Sequence, residues 1–472
     1  MSKQEISDIL PPNYPPNVTR PTIGCRGIVQ RSLRLLKLIV QETSDWKQNV
    51  RLHSLKLLYQ FVLHSEAAMT AKFFEIYPDV AKASIDSELI VVQEAFKVSD
   101  LMGRLLNYED WYEHGFEGLE KKCKEGYLKC FYYMYTAALG VKFEHNLRLS
   151  KLLSESDFSQ TLNNGLQLYV LKTIETILSK TNGETESKAK GNEKVELYRN
   201  CYCAVIKIMA LSLECDHLNC EDLQVKSFKI LENIANCNNC SSDDLHEQFL
   251  IYALEYVDNL DAQLDALSEP ILLLYGLIKL VKFRSSCLKQ LQQKINMVFE
   301  HCAYESKIKI FSAVSVAMLD WNKTINRSLD ESCNILNEFL ESVVENHLSW
   351  KAGANAEAMR SLAIATLCSI SQGAAKEAQV VLPKFSKYIP QLLEDQSVSS
   401  RHYAVKCLCN FGEIDIKSLK PIGYGKLIIF KMKLFLLVYF FFFLLCRLLA
   451  KAQRSFFSYS YISRSCYTKV TT

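Results

Sequence analysis

The residues closest to a metal-binding constellation are Cys215-x-His217-x2-Cys220, followed by Cys237-x2-Cys240. Thiolates and an imidazole in two short clusters are the ligand types of a tetrahedral zinc site. The intervening stretch, Cys220 to Ala235, reads as a helix. At roughly 1.5 Å per residue its ends stand about 22 Å apart. A single ion cannot bridge that distance unless the chain folds back, so these cysteines are expected to be free thiols, with no metal or cofactor. The histidines are no more suggestive. His53, His64, His301 and His347 stand singly, with no HExxH and no pair at i, i+4. There is no phosphate-binding Walker loop and no GxSxG elbow, and Gly423-Tyr424-Gly425 is half a motif. Glu120 and Glu125 lie among Lys121, Lys122 and Lys124 and read as a solvated mixed-charge face. The run Phe131-Tyr132-Tyr133-Met134-Tyr135 reads as helix–helix packing, not a stacking platform. Nothing in this set performs catalysis, and the chain is expected not to be an enzyme.

A different pair of residue types recurs. Asp45 precedes Arg51 by six residues, and Asp395 precedes Arg401 by the same six. Arg360 stands 41 residues before Arg401, and the same step from Arg51 falls on Val92. A step of this size lies in the range of HEAT and armadillo helical repeats. The flanking sequence has helical periodicity. Ile28 to Val40 places Ile28, Leu35, Leu36 and Ile39 on one stripe. The next helix has Ser44 or Asp45 to cap it, then Val50, Ser54, Leu57, Leu58, Phe61 and Val62 on one face. Further helices are expected over Glu88–Leu105, Arg360–Ile370, Val381–Leu393 and Ser400–Phe411. Pro383 fits the first turn of the third of these, and Pro390 kinks or shortens it. On the last, Tyr403, Ala404, Cys407, Leu408 and Phe411 form the apolar face. One hairpin cannot bury such a face alone, so neighbours must stack. The expected fold is all-α, an α-solenoid of HEAT/armadillo-type helical hairpins.

Composition agrees. Only 16 Gly and 10 Pro among 472 residues leave too few turn-formers for an all-β sandwich or barrel. The 17 Cys are odd in number, and Cys130, Cys203, Cys368 and Cys407 lie inside apolar helical patterns, as reduced thiols do. The first residues carry Pro11, Pro12, Pro15 and Pro16 and no apolar signal core, so a cytoplasmic location is expected. The formal charge of +3 conceals two compositions. Residues 414–472 hold ten Lys/Arg, one acid (Asp415) and eight of the 24 Phe; without them 45 basic and 51 acidic residues remain, a net of −6. An acidic body is a poor match for nucleic acid. The expected organisation is a flexible Pro-rich leader (1–20), a repeat body (21–413) with a polar loop at 181–194, and a hydrophobic, basic tail (414–472). In the tail, Leu434–Cys446 is an unbroken apolar run of 13, which Lys431, Lys433 and Arg447 prevent from extending cleanly over 427–449. About 20 apolar residues are needed to span a bilayer. The tail is therefore read as non-native read-through, with a membrane segment as the alternative.

The Asp-x5-Arg spacing resembles the HEAT repeat, in which an Asp in the turn and an Arg at the start of the second helix hydrogen-bond between successive repeats. DWKQNVRLHSLKLLYQFVLHSE (Asp45–Glu66), LSWKAGANAEAMRSLAIATLCSI (Leu348–Ile370) and RPTIGCRGIVQRSL (Arg20–Leu33) resemble segments of the dynein axonemal assembly factor 5 family, also called HEAT repeat-containing protein 2. The resemblance covers roughly 20–413 and is strongest at the two ends. It implies a middle-to-C-terminal portion of a longer, non-catalytic cytoplasmic factor that preassembles axonemal dynein arms. The implied partners are dynein intermediate chain and other assembly factors or chaperones, and the implied ladder positions are Asp45, Arg51, Asp395 and Arg401. The rival class is a general HEAT scaffold or transport adaptor, membrane-anchored only if 427–449 is a genuine span.

Overall fold

The computed structural model describes residues 9–122, 125–159, 161, 163–183, 191–212, 219–255, 257, 263–281, 288–321 and 328–414. Among these there are helices and turns and no β-strand. The chain divides into two compact units, 1–310 and 311–472.

In the first unit the helices alternate between two rows. One row is Leu36–Glu42, Phe73–Ala83, Tyr108–Lys122, Phe143–Ser154 and Gly191–Ser212. The other is Gln48–Ser65, Leu89–Leu105, Glu125–Ala137, Asn164–Gly183 and Asn219–Cys237, each packed on the next. From Gln48 to Leu89 the step is 41 residues. The core lies between the rows. Leu55, Leu58, Val62, Ala95, Val98, Met102, Leu128 and Phe131 are fully covered. Each large side chain so covered contributes about 1.5–3 kcal/mol. Helices also meet backbone to backbone, within the second row at Gly103 and between the rows at Gly126. A Cβ on Gly103 would stand 2.2 Å from the Met134 carbonyl oxygen, and one on Gly126 would stand 2.1 Å from that of Ala81.

The Gln48–Ser65 helix buries Ser54, Leu58 and Val62 of the expected face, with Leu57 and Phe61 half-buried. Neither Ser44 nor Asp45 caps it; Lys47 holds that position and makes no side-chain cap. The helix expected over Ile28–Val40 is instead Ile23–Arg31, a 3₁₀ turn Leu33–Leu35, and Leu36–Glu42. Ser32 Oγ donates to the Ile28 carbonyl at 2.9 Å beside the Ser32 N–H at 3.1 Å, a back-bond of the kind that bends helices. The tighter turn shifts the phase: Leu36 and Val40 are buried, while Ile28 is 62% exposed and Leu35 46%.

The leader from Ile9 onward is also not free, contrary to its composition. Pro15 is buried, Asn13 Nδ2 donates to the Ala137 carbonyl at 2.5 Å, and both Arg20 Nε and Nη2 donate to Glu66 at 2.8 Å. The carboxylate of Glu66 also accepts from the buried Arg26 at 3.4 Å. These polar side chains and the buried Pro15 hold the segment against the helices.

In the second unit, Ala354–Gly373 packs on Val398–Ile414, and Leu329–Phe339 on Ala375–Val381. The helix expected over Val381–Leu393 is broken into Ala375–Val381, a 3₁₀ segment Leu382–Tyr388 and Ile389–Leu393. Pro383 and Pro390 each sit in a first turn, where no backbone donor is missed, so each restarts a segment. Ala404, Cys407 and Leu408 are buried as expected, and the side chain of Phe411 lies outside the described residues. Only Ile414 of the tail is described; no helix among the described residues is long and apolar enough to cross a membrane.

Candidate functional site: polar ties between repeats

The turns before Gln48–Ser65, Leu89–Leu105 and, in the second unit, Val398–Ile414 are each built by one aspartate. Asp45 Oδ1 accepts from the Lys47 N–H at 2.7 Å, Asp86 Oδ1 from Glu88 at 2.9 Å, and Asp395 Oδ1 from Ser397 at 2.8 Å. These are Asx turns, in which a short carboxylate replaces a backbone acceptor two residues on. The arginine six residues after the aspartate then clamps the same turn from inside. Arg51 Nη1 donates to the carbonyls of Asp45 and Trp46 at 3.0 and 3.1 Å. Arg401 Nη1 donates to those of Asp395 and Gln396 at 2.6 and 2.9 Å.

The side-chain partner lies in the next hairpin. Arg51 Nη2 donates to Asp86 Oδ1 at 2.9 Å, and its Nε stands 2.7 Å from Oδ2. Arg360 makes the same fork onto Asp395, through Nε to Oδ2 and Nη2 to Oδ1, the latter at 3.2 Å. It also donates to the Lys351 carbonyl at 3.1 Å. Both ties join residues 35 apart, one repeat step less the six residues of the turn. Bidentate guanidinium–carboxylate pairs are strong and directional. Burial would raise the Asp86 carboxyl, but the bonds from Arg51 and the Glu88 N–H prevail and hold it below the usual carboxylate range. Asp395 is lowered in the same way, against its burial, by Arg360 and the Ser397 N–H.

Of the four expected positions, Asp45 and Asp395 shape turns, Asp395 also receives a tie, Arg51 gives one, and Arg401 bonds its own turn among the described residues. Asp86 was not among them, although the 41-residue step from Asp45 lands on it. Arg360 had been marked only as a repeat signal, and it carries the more buried tie.

The other candidates disperse. Cys215 and His217 lie outside the described residues, as does the side chain of Cys220. Cys237 and Cys240 form no disulfide among the described residues, and Cys240 Sγ lies 3.6 Å from the Ala235 carbonyl. No group of three or more His, Cys, Asp or Glu that could hold a metal occurs among the described residues. His64 Nδ1 meets the Gln60 carbonyl at 2.7 Å, and His347 packs on Phe311. Glu125 is taken up by Lys129 at 2.5 Å and Asn163 at 2.7 Å. The tyrosine run divides. Phe131 is buried against Trp111 and Tyr112, and Tyr135 is buried beside Phe131, whereas Tyr132 and Tyr133 are half-exposed. Gly423–Gly425 lies outside the described residues.

The arrangement is one for holding a long surface in register. A family model described as the HEAT-repeat domain of dynein axonemal assembly factor 5 matches residues 12–195. Dynein axonemal assembly factor 5 of Drosophila melanogaster is 51% identical over 425 residues, covering 90% of this chain and 50% of that protein. The Homo sapiens protein of that name is 23% identical over 422 residues, and the Mus musculus protein 24% over 430; each alignment covers 87% of this chain and 47% of the relative. A crystal structure of a Kap121p mutant aligns with 84% of this chain and 43% of its own, at 12% identity and a TM-score of 0.32, too loose a likeness to carry an argument. By sequence this chain is a member of the dynein axonemal assembly factor 5 family, spanning about half the length of these curated relatives.

Proposed function

We propose that this chain acts, within a cytoplasmic HEAT-repeat scaffold, in the assembly of axonemal dynein arms. The observation that carries the reading is 51% identity, over 90% of the chain, to a protein named as such a factor. The fold supports it: stacked hairpins present extended surfaces to protein partners. The role is binding, without catalysis, and the partners are dynein intermediate chain together with other assembly factors or chaperones. Cilia and flagella that lack the factor lose motility.

The test is loss of the whole protein in a ciliated cell. Dynein heavy and intermediate chains should become unstable in the cell body and absent from axonemes, with cilia of normal length that do not beat. The protein should fractionate with the cytoplasm and co-precipitate dynein intermediate chain under mild lysis. Normal arms in null cells, or no intermediate chain in the precipitate, would leave a general scaffold.

A further inference from the structure

The second row of the first unit carries a surface that repeat stacking does not require. Phe96, Tyr132 and Tyr133 are half-exposed on two successive helices, and Tyr169 on the next closes the cluster. Phe96 stacks on Tyr133 at 4.2 Å between ring centroids, and Tyr132 meets Tyr169 edge-on at 5.5 Å. Above these rings lies a cation. Lys172 Nζ is 4.5 Å from the Tyr169 centroid and 6.0 Å from that of Tyr132. Aromatic faces attract an ammonium but leave its donors unspent.

The groups facing Lys172 sharpen the point. Lys129 lies over the same Tyr169 ring at 5.5 Å and is paired with Glu125. Lys226 is paired with Glu175, the acid that also faces Lys172. Both nearby carboxylates are thus already shared with other lysines, and Lys172 forms no ion pair among the described residues. Burial first, and then the charges of Lys226 and Lys129, lower the pKa of its ammonium. A cation so placed gains from an anionic partner brought to it.

Beside it, between Asn164–Gly183 and Asn219–Cys237, opens a cleft of about 500 Å³ lined by Glu175, Leu178, Ser179, Asn233, Asn236 and Cys237. Asn233 and Asn236 are exposed, one helical turn apart. A carboxamide carries both a donor and an acceptor, which matches a peptide group laid along it in extended form. An aromatic platform, the Lys172 ammonium and two exposed carboxamides therefore follow one another across four successive second-row helices.

We infer that this face, from Phe96 through Lys172 to Asn236, binds an extended segment of a partner protein that carries both acidic and aromatic side chains. The acid meets Lys172, an aromatic ring lies on the Tyr132–Tyr133–Tyr169 cluster, and the backbone runs past Asn233 and Asn236. Charge complementarity selects the occupant: Glu125 and Glu175 offset Lys129 and Lys226, which leaves Lys172 as the cation in excess for an acidic side chain to meet. The inference stands apart from the dynein-arm reading, because it concerns the chemistry of the segment and not the protein that supplies it.

The test uses the full chain and a fluorescein-labelled peptide alternating Glu with Tyr, read by anisotropy, beside the same peptide with Lys in place of Glu. The Glu/Tyr peptide should bind and the Lys/Tyr peptide should not. Lys172→Glu should weaken binding by about tenfold or more, because it turns attraction into repulsion. Lys172→Met, which keeps the aliphatic packing, should weaken it in the same direction, and the double change Asn233→Ala, Asn236→Ala should weaken it independently. Lys121→Glu, on the other row and 71% exposed, should leave binding unchanged. Circular dichroism confirms that each variant is folded. Absence of binding, equal binding of both peptides, or indifference to Lys172 and to the Asn pair would overturn the inference, with the dynein-arm reading untouched.

Discussion

Replacing Arg360 by Met tests the ties where water screens them least. The Arg360 and Asp395 side chains are 3% and 2% exposed, against 13% and 12% for Arg51 and Asp86. Methionine retains much of the aliphatic packing but deletes both bonds to the carboxylate and the bond to the Lys351 carbonyl. Asp395 then keeps the Ser397 N–H as its neutral donor. Breaking a buried pair in this way costs about 3–5 kcal/mol, most of it the penalty of the ion left behind. The pH dependence separates that cause from lost packing. In the native chain the Asp395 carboxyl lies below its ordinary 3.8, so its stabilisation is complete above that value and is lost only as pH falls through the lowered pKa. In the variant, burial without the guanidinium pushes the same carboxyl up. Its penalty is then full at neutral pH and shrinks as pH falls through the raised value. Hydrogen exchange of Ala354–Gly373 and Val398–Ile414, measured at about pH 7 and about pH 5 with intrinsic rates corrected, should show a gap from the native chain that narrows at the lower pH. Adding Asp395→Asn should recover about half the loss or more, since an amide still accepts from Ser397 without a charge to strand. A loss under about 1 kcal/mol, the value of an exposed pair, or a gap equal at both pH values, would refute the reasoning.

The half-screened tie should be weaker: Arg51→Ala should cost about 1.5–3 kcal/mol and deprotect Gln48–Ser65 and Leu89–Leu105 alone, and uniform deprotection along the unit would contradict nearest-neighbour stacking. Arg401→Ala, which removes bonds to its own turn, should cost less than either, so a loss as large as that of Arg360 would mean an unseen partner. Gly103→Ala should destabilise by about 1–3 kcal/mol because its methyl would meet the Met134 carbonyl, while Gly24→Ala, with open space around it, should be neutral or stabilising in the same denaturation assay. Elemental analysis of the purified chain should find no stoichiometric zinc, and Cys237→Ser should leave metal content and helicity unchanged; a zinc lost with that change would restore the two-cluster site.

Helical periodicity was legible because burial enforces it. Leu58, Val62, Ala404, Cys407 and Leu408 lie inside as their spacing requires. What was not legible are events that alter phase without altering composition. Ser32 is an ordinary helical residue by pattern, yet its hydroxyl takes the Ile28 carbonyl and the following 3₁₀ turn moves Leu35 from the core to the surface. In sequence Pro383 fits the first turn of one helix and Pro390 a kink or early end of it, and two restarts in one stretch look the same as one kinked helix. The leader misled for a related reason: its proline content predicts freedom, and the side chains that tie it down, Asn13 and Arg20, find partners on distant helices.

The ladder shows how a correct spacing can carry an incomplete geometry. Asp-x5-Arg is visible in sequence because the two residues share one turn, and within that turn the arginine bonds carbonyls while the aspartate bonds an amide. The two side chains of the motif do not pair with each other in this arrangement; where a tie forms, the arginine of one hairpin reaches the aspartate of the next. The pairing distance is therefore the repeat step minus the motif length, 35 residues, and it is found at Arg51–Asp86 and Arg360–Asp395 alike. Val92 shows the consequence. A repeat that has lost its arginine keeps the aspartate turn, because Asp86 is still needed by the hairpin before it. Either half of the motif can thus persist alone, so a search for the pair undercounts the ties, and a search for Asp 35 residues after Arg recovers both ties seen among the described residues.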